Sequence, residues 1–222
     1  MTMVIARFVS DLGDQAVLLP VAILTAAILG WARWRRGFAA WCGAIGGTLG
    51  LMLLLKLVSI GCAPCWQSTG LKSPSGHTAA AAAIYGSLVS LAVRRLVHTI
   101  QWTLGGAVAI AVLFGSTRLL LSVHTVPDVL VGTVVGVAGA IGFVLLAGPP
   151  PPALRPTWIF AGSLITALTL QGYHLPAEFV IEDIWHRLRL KGGCAGASLP
   201  CQCNEIAAGS GDNRKQVRPD PD

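Results

Sequence analysis

The sequence predicts an all-α integral membrane protein, a single bundle of six transmembrane helices. Of its 222 residues, 54% are hydrophobic and only 12% are charged, and the mean hydropathy is +0.67. Soluble domains carry about 25% charged residues, so this chain has too little polar surface for water. Six apolar runs each approach the ~20 residues that span a bilayer. Three polar islands, around residues 56, 77 and 124, hold nearly all the ionisable groups embedded in the apolar part of the chain.

The N-terminal segment, 1–14, has apolar residues at helical spacing, among them Val4 and Phe8. It is predicted to lie in the membrane interface. The first apolar run, 15–31, is followed by a basic cluster at 33–36, whereas a signal peptide carries its basic residues before the apolar core. We therefore predict a retained transmembrane helix whose C-terminal end lies in the cytoplasm.

Five further apolar runs complete the predicted bundle. They are 38–60, 77–97, 99–121, 126–147 and 157–175. Glycines recur in several of them, at 43–50 and at 132–139 for example, and small residues permit close packing of helices in lipid. Together with the first run they define one six-helix domain, 15–175.

Beyond this domain, residues 176–191 are predicted to form an amphipathic surface helix, because their apolar residues share one face. Residues 192–222 are polar and rich in glycine and proline, which predicts a disordered tail. The tail cysteines do not have the spacing of a zinc site. Cys42, within the second apolar run, is predicted to lie in the core.

The basic residues of the connecting loops predict the topology. Arg33–Arg36, Arg94, Arg95 and Arg155 fall in one set of loops, which we assign to the cytoplasm. All three polar islands then face the opposite side. Short loops and the lack of eukaryotic sorting or glycosylation signals favour a bacterial inner membrane, with the islands facing the periplasm. The net charge of +6 is dispersed along the chain and does not indicate a nucleic-acid partner.

The third island has the spacing of an activated nucleophile. Asp128 follows His124 by four residues, and residues four apart share a helix face. Asp128 can then accept from one ring nitrogen of His124 and leave the other free to attack. His77 stands at the start of another predicted helix, where it can protonate a leaving oxygen.

The other polar residues of the islands are suited to a phosphate. Ser75 and the N–H groups around Gly76 lie at a predicted helix N-terminus, which favours anions. Lys56 and Arg118 can neutralise phosphate oxygens. Ionisable groups at the edges of apolar runs are costly, so we interpret them as functional.

These motifs resemble the PAP2 superfamily, the type 2 phosphatidic acid phosphatases. The family pattern is Lys-x6-Arg-Pro, then Pro-Ser-Gly-His, then Ser-Arg-x5-His-x3-Asp, and the chain has Lys56, an unbroken 74–77, and Arg118, His124 and Asp128 at the family spacing. The resemblance implies a six-helix core and a lipid phosphate substrate, without metal or cofactor. It also implies roles: His124 forms a phosphohistidine, Asp128 orients it, and His77 is the general acid. Phosphate would be bound by Lys56, Ser75, Gly76 and Arg118.

The chain departs from the family pattern at two positions. Ala63 stands where the first motif has arginine, and Ser116 is displaced by one residue from the serine of the third motif. The loss of one donor puts rate and substrate in question, and we expect Lys72 to replace it in part. Cys62 and Cys65 flank the first departure, and the sequence leaves open whether they form a short disulfide or two thiols.

Three other functions fit the same motifs. A phosphotransferase would pass the phosphoryl group from His124 to another lipid instead of water. A non-catalytic lipid-binding protein would have lost activity with the arginine. A vanadium haloperoxidase, which shares the phosphate pocket, is disfavoured because such enzymes are usually soluble. The sequence does not indicate an oligomeric state.

Overall fold

A computed structural model of the chain describes residues 2–61, 70–93, 99–152 and 154–173, together with Asp183 and Arg187. Every regular element in these ranges is a helix, which confirms the all-α prediction. The helices are α1 (Thr2–Leu12), α2 (Gln15–Trp31), α3 (Arg35–Gly61), α4 (Gly76–Val93), α5 (Thr99–Leu120), α6 (Val126–Ala147) and α7 (Pro156–Thr169).

Five helical segments are long and apolar enough to cross a membrane. They are Met3–Trp31, which comprises α1 and α2, then Arg35–Ile60, Gly76–Val93, Thr99–Leu120 and Val126–Ala147. The sixth predicted span corresponds to α7, a shorter apolar helix of 14 residues. Large apolar side chains face outward on several helices, as with Val134 at 68% exposure. A surface of this kind suits lipid rather than water, and the chain is an integral membrane helical bundle.

Helix α4 lies at the centre of the bundle and contacts α2, α3, α5 and α6. Its first half contains five consecutive alanines, Ala79 to Ala83, each at most 2% exposed. Such small side chains let four neighbouring helices approach one central helix. The Pro-Ser-Gly-His stretch at the start of α4 is therefore fixed by contacts along the whole helix.

Two glycines of α6 bring this helix against the backbone at α4, and a third brings it against α3. A Cβ atom on Gly132 would lie 2.5 Å from the carbonyl oxygen of Ser75, and one on Gly136 would overlap the carbonyl oxygen of Ala79. A Cβ on Gly139 would strike the Thr48 side chain of α3. Here the predicted role of glycine in close helix packing is confirmed.

The glycines of α3 behave differently. A Cβ atom added at Gly43, Gly46, Gly47 or Gly50 would meet nothing within 4 Å. The prediction of close packing is therefore wrong for this stripe within the described part of the chain. Gly43 and Gly47 instead line a groove of about 380 Å³ between α3 and α6.

We expect Gly136→Ala to destabilise the protein by about 1–3 kcal/mol, because the new methyl group meets backbone that cannot move aside alone. Gly43→Ala is the matched control, since its Cβ would enter open space. Thermal unfolding of the two variants in detergent measures the difference. Equal Tm values would contradict the close approach of α6 to α4.

Two further predictions are corrected by the structure. Cys42 is exposed on the outer face of α3 and does not lie in the core. Helix α3 begins at Arg35, earlier than the apolar run at 38, because basic side chains at a membrane boundary can extend to polar partners. Arg36 Nε donates to the carbonyl oxygen of Leu146, at 2.8 Å, near the C-terminal end of α6.

The structure tests the predictions for the two ends of the chain only in part. Helix α1 exposes Met3, Val4, Ile5 and Phe8, as an interfacial helix would, and that placement stays a prediction. The predicted surface helix 176–191 and tail 192–222 lie outside the described residues, apart from Asp183 and Arg187. Those two are helical and form an exposed ion pair at 2.7 Å.

Candidate active site

The three polar islands meet at one end of the bundle. Helix α3 brings Lys56 there, and its Cε atom lies 3.7 Å from where a Cβ of Gly76 would be. The N–H of Ser75 donates to the carbonyl oxygen of Asp128 at 3.0 Å, which joins the starts of α4 and α6. Arg118 lies in the last turn of α5, six residues before His124.

The sequence Thr125-Val-Pro-Asp128 fixes the start of α6. Thr125 is the N-cap: its backbone N–H donates to Asp128 Oδ2 at 3.0 Å, and its hydroxyl accepts from the Asp128 N–H at 3.4 Å. This reciprocal pair is a capping box, which satisfies N–H groups that a helix start leaves open. Pro127 occupies the first turn, where its missing N–H costs nothing. His124 is therefore held directly before a well-defined helix end.

The Asp128 carboxylate also binds the loop that leads to Ser75. The side chain is 1% exposed, and its Oδ1 accepts from the backbone N–H groups of Lys72 at 3.0 Å and Ser73 at 2.9 Å. Sequence reasoning assigned Asp128 to His124 alone and missed this second function. The capping-box pattern of Thr125 and Asp128 was visible in the sequence, but the bonds to Lys72 and Ser73 span more than fifty residues.

His124 is placed as the sequence predicts, beside Asp128 and among cations. Its side chain is 5% exposed, and its Nδ1 lies 3.7 Å from Asp128 Oδ2. This separation is longer than a hydrogen bond, so it must shorten for Asp128 to accept the Nδ1 proton. Because Nδ1 faces Asp128, Nε2 is the nitrogen left for a reaction.

The pKa of the His124 imidazole is lowered from 6.5 to about 4, and burial is the largest cause. The positive charges of Arg118 and Lys56 also lower this pKa, and together they outweigh the Asp128 carboxylate, which raises it. Four of the other predicted site residues, Lys56, His77, Arg118 and Asp128, are thus within electrostatic range of His124. At neutral pH the imidazole is uncharged and keeps a free lone pair. A neutral imidazole surrounded by cations can act as a nucleophile toward an anion.

Ser75 acts as the cap of α4 in this structure. It is fully buried, its Oγ lies 2.9 Å from Thr78 Oγ1, and it accepts from the Thr78 N–H at 3.4 Å. Its hydroxyl is therefore engaged within the helix start. Gly76 is the first residue of α4 and is buried as well. Phosphate binding by Ser75 and Gly76 stays a prediction, and the helix N-terminus they form is the feature that favours it.

His77 has a partner that the sequence did not suggest. Its side chain is 24% exposed, and Nε2 lies 3.5 Å from Oδ2 of Asp14, at the junction of α1 and α2. Arg118 also contacts this region, since its Nη1 donates to the Ser10 hydroxyl at 3.1 Å. The sequence signal at Asp14 was only that of an N-cap before an apolar helix, which does not predict a contact with His77.

The structure describes the residues at the two departures from the motifs only in part. Lys72, the expected replacement for the missing arginine, donates its backbone N–H to Asp128, and its side chain is exposed. Phosphate binding by Lys72 stays a prediction. The Ser116 hydroxyl donates to the carbonyl oxygen of Leu113 in its own helix, at 2.8 Å. Ala63, Cys62 and Cys65 lie outside the described residues, so the alternatives for the cysteines stay open.

Residues 58–149 match the family model of the PAP2 superfamily. The matched segment includes His77, Arg118, His124 and Asp128, and begins after Lys56. The searches of curated proteins and of solved structures gave no match. Among the described residues, no group of three or more His, Cys, Asp or Glu side chains is arranged to hold a metal ion. The matched segment, which lies within the helical membrane bundle, supports a PAP2 superfamily assignment.

Proposed function

We propose that the protein is a membrane phosphatase that hydrolyses the phosphate or pyrophosphate headgroup of a lipid through a phosphohistidine, releasing the terminal phosphate. The match of residues 58–149 to the PAP2 superfamily supports a phosphatase, and the apolar helices support a membrane enzyme. The observation that carries the proposal is the buried side chain of His124, with Asp128 beside Nδ1 and with Lys56 and Arg118 within electrostatic range, where burial lowers the pKa of the ring. This arrangement matches what a nucleophile for a phosphate anion requires.

In the first step, Nε2 of His124 attacks phosphorus and the bond from phosphorus to the leaving oxygen breaks. His77 gives its proton to that oxygen. The imidazole of His124 becomes positively charged, and the Asp128 carboxylate stabilises this charge. Lys56 and Arg118 offset the negative charge on the phosphoryl oxygens in the transition state.

In the second step, water attacks the phosphohistidine. His77, now neutral, accepts a proton from the water, and the bond between phosphorus and Nε2 breaks. The products are inorganic phosphate and His124 in its starting form. No electrons are exchanged with a cofactor in either step, since each is a displacement at phosphorus.

The substrate we propose is a lipid whose chain stays in the bilayer while the headgroup enters the site. The site lies at helix ends, where a transmembrane helix reaches the headgroup region. Candidates are undecaprenyl pyrophosphate, phosphatidic acid and phosphatidylglycerol phosphate. We place the reaction at the outer face of a bacterial inner membrane, on the strength of the basic residues in the opposite loops.

Phosphate release from these three lipids by purified protein in detergent, with a chelator present, tests the function. We expect release from at least one lipid, together with an acid-labile, base-stable phosphoryl group on the enzyme. Transfer of phosphate to an added alcohol in place of water would favour the phosphotransferase. Binding of the lipids without any release would favour the non-catalytic protein and overturn the proposal.

The topology predicts a labelling pattern. In a background without the native cysteines, Ser122→Cys should react with an impermeant thiol reagent in intact cells, because Ser122 is exposed beside the site. Pro149→Cys, exposed beyond the opposite end of α6, should react only after the membrane is broken. The reverse pattern would move the reaction to the cytoplasmic leaflet.

The missing arginine predicts a role for Lys72. Its backbone N–H binds Asp128, so Lys72→Ala removes the ammonium group and keeps this bond. We expect kcat/KM on a short-chain soluble substrate to fall about ten-fold or more, equivalent to ~1.4 kcal/mol of transition-state stabilisation. Adding Ala63→Arg to this variant should restore part of the loss, because arginine supplies the family donor. An unchanged kcat/KM in Lys72→Ala would mean that Lys72 only contacts lipid headgroups.

A further inference from the structure

The junction between α1 and α2, residues Ser10 to Asp14, lies against the site. Three contacts reach across from it: Ser10 Oγ to Arg118 Nη1 at 3.1 Å, the Leu12 carbonyl oxygen to the Tyr85 hydroxyl at 2.8 Å, and Asp14 Oδ2 to His77 Nε2 at 3.5 Å. This segment lies outside the part of the chain that matches the family model.

The junction is held firmly in place. A Cβ atom on Gly13 would lie 2.6 Å from Cδ1 of Phe114, so only glycine allows this approach. The Phe114 ring in turn stacks on Tyr85, with the ring centroids 5.7 Å apart. Asp14 is 7% exposed, and its Oδ1 accepts from the Ala16 N–H at 2.8 Å as the N-cap of α2. The cap fixes the carboxylate so that Oδ2 faces His77.

The cap by itself does not account for an aspartate. A cap needs one oxygen, and asparagine or serine serves about as well. The second oxygen of Asp14 instead stands beside a histidine, as Asp128 stands beside His124. The two pairs use opposite ring nitrogens: Asp128 faces Nδ1 of His124, and Asp14 faces Nε2 of His77.

We propose that Asp14 is the positioning residue of the general acid His77. This inference rests on the proposed phosphatase function and adds a residue to its site. At 3.5 Å the His77–Asp14 pair is longer than a hydrogen bond and must shorten. Asp14 then holds the Nε2–H of His77, so that Nδ1 carries the proton that goes to the leaving oxygen. After that transfer, Nε2 keeps its hydrogen toward Asp14, and Nδ1 offers the lone pair that accepts a proton from water in the second step. The ring therefore need not rotate between its two roles.

The test compares two substrates that differ in their need for a general acid. An alkyl phosphate such as hexyl phosphate has a basic leaving oxygen that needs a proton, whereas p-nitrophenyl phosphate releases a stable phenolate that does not. Asp14→Asn keeps the cap and removes the charge. We expect its kcat/KM to fall about 100-fold on hexyl phosphate, in the range of general acid catalysis, and less than about three-fold on p-nitrophenyl phosphate. The parameter kcat/KM is used because it reports the first chemical step.

The controls separate the possible outcomes. Asp14→Ser caps α2 as well and should repeat the result if Asp14→Asn is poorly folded. Asp183→Asn removes an acidic residue from an exposed ion pair and should leave both values unchanged. An equal loss on both substrates, or no loss on either, would overturn the role of Asp14 while the phosphatase stands. Wild-type protein that hydrolyses neither substrate and none of the lipids would overturn the proposed function and this inference with it.

Discussion

Replacing His124 with alanine is expected to abolish turnover, with kcat reduced by at least ~10³-fold, as the loss of a covalent nucleophile does in other enzymes. Without Nε2, no bond from the protein to phosphorus forms, and the cations that remain bind the phosphate without reacting. The variant should also take up no label from a ³²P-labelled lipid substrate. Phosphatase activity that persists undiminished in His124→Ala would remove the nucleophile assignment.

The protonation state of His124 gives this prediction a second readout. The neutral ring is the reactive form, and its pKa is lowered to about 4, so the ring stays neutral as the pH falls from 7 through 6.5. Protonation, and loss of the nucleophile, should begin only as the pH approaches 4. An NMR titration of ring-labelled histidine, with His124→Ala to assign the signal, measures this pKa. A midpoint near 6.5 would show that burial does not lower the pKa of the His124 ring.

Asp128→Ala is expected to lose both activity and stability. The backbone N–H groups of Lys72, Ser73 and Thr125 all donate to this carboxylate. A buried donor left without its acceptor costs about 1–3 kcal/mol, and movement of the loop would recover part of the total. A clear fall in Tm should therefore accompany the loss of kcat. In His124→Ala those backbone bonds are kept, so that variant is the matched control and should retain most of its Tm.

Asp128→Asn should reduce stability less than Asp128→Ala does, but it should still lower kcat strongly. If the amide oxygen stays on Lys72 and Ser73, its NH₂ group faces Thr125 and His124. The imidazole would then present its Nδ1 lone pair to the amide and carry its proton on Nε2, the nitrogen that must attack. This wrong tautomer should lower kcat by ~10²–10⁴-fold and leave a small residual rate, as in the serine protease triad.

A Tm of Asp128→Ala equal to that of the wild type would contradict the role of Asp128 in binding the loop.

Much of this architecture could be predicted because membrane helices leave a strong local signal. The apolar runs located the helices from α2 to α6 to within a few residues at most ends. The motifs predicted one cluster of Lys56, His77, Arg118, His124 and Asp128, and the structure brings the other four within electrostatic range of His124. Each of these patterns lies within one helix or one loop, where the spacing of residues along the chain determines which side chains face each other.

The errors and omissions share a physical cause. In lipid, the outside of a helix is as apolar as its packed face, so composition could not show that Cys42 and the glycines of α3 face outward. The contacts of Ser10 and Asp14 with the site join residues 108 and 63 positions apart along the chain. Neither Ser10 nor Asp14 belongs to a motif, and no local spacing connects them to Arg118 or His77.

The start of α4 has a consequence for how the site tolerates Ala63. The aligned peptide units of a helix act as roughly half a positive charge at its N-terminus. At α6 that charge faces the Asp128 carboxylate, whereas the first turn of α4 holds no acidic residue. We therefore expect the macrodipole of α4 to act on the phosphate of the proposed substrate, and no side-chain substitution removes it. On the proposed function, the loss of any one cationic side chain is then expected to weaken phosphate binding without eliminating it, because the helix charge remains.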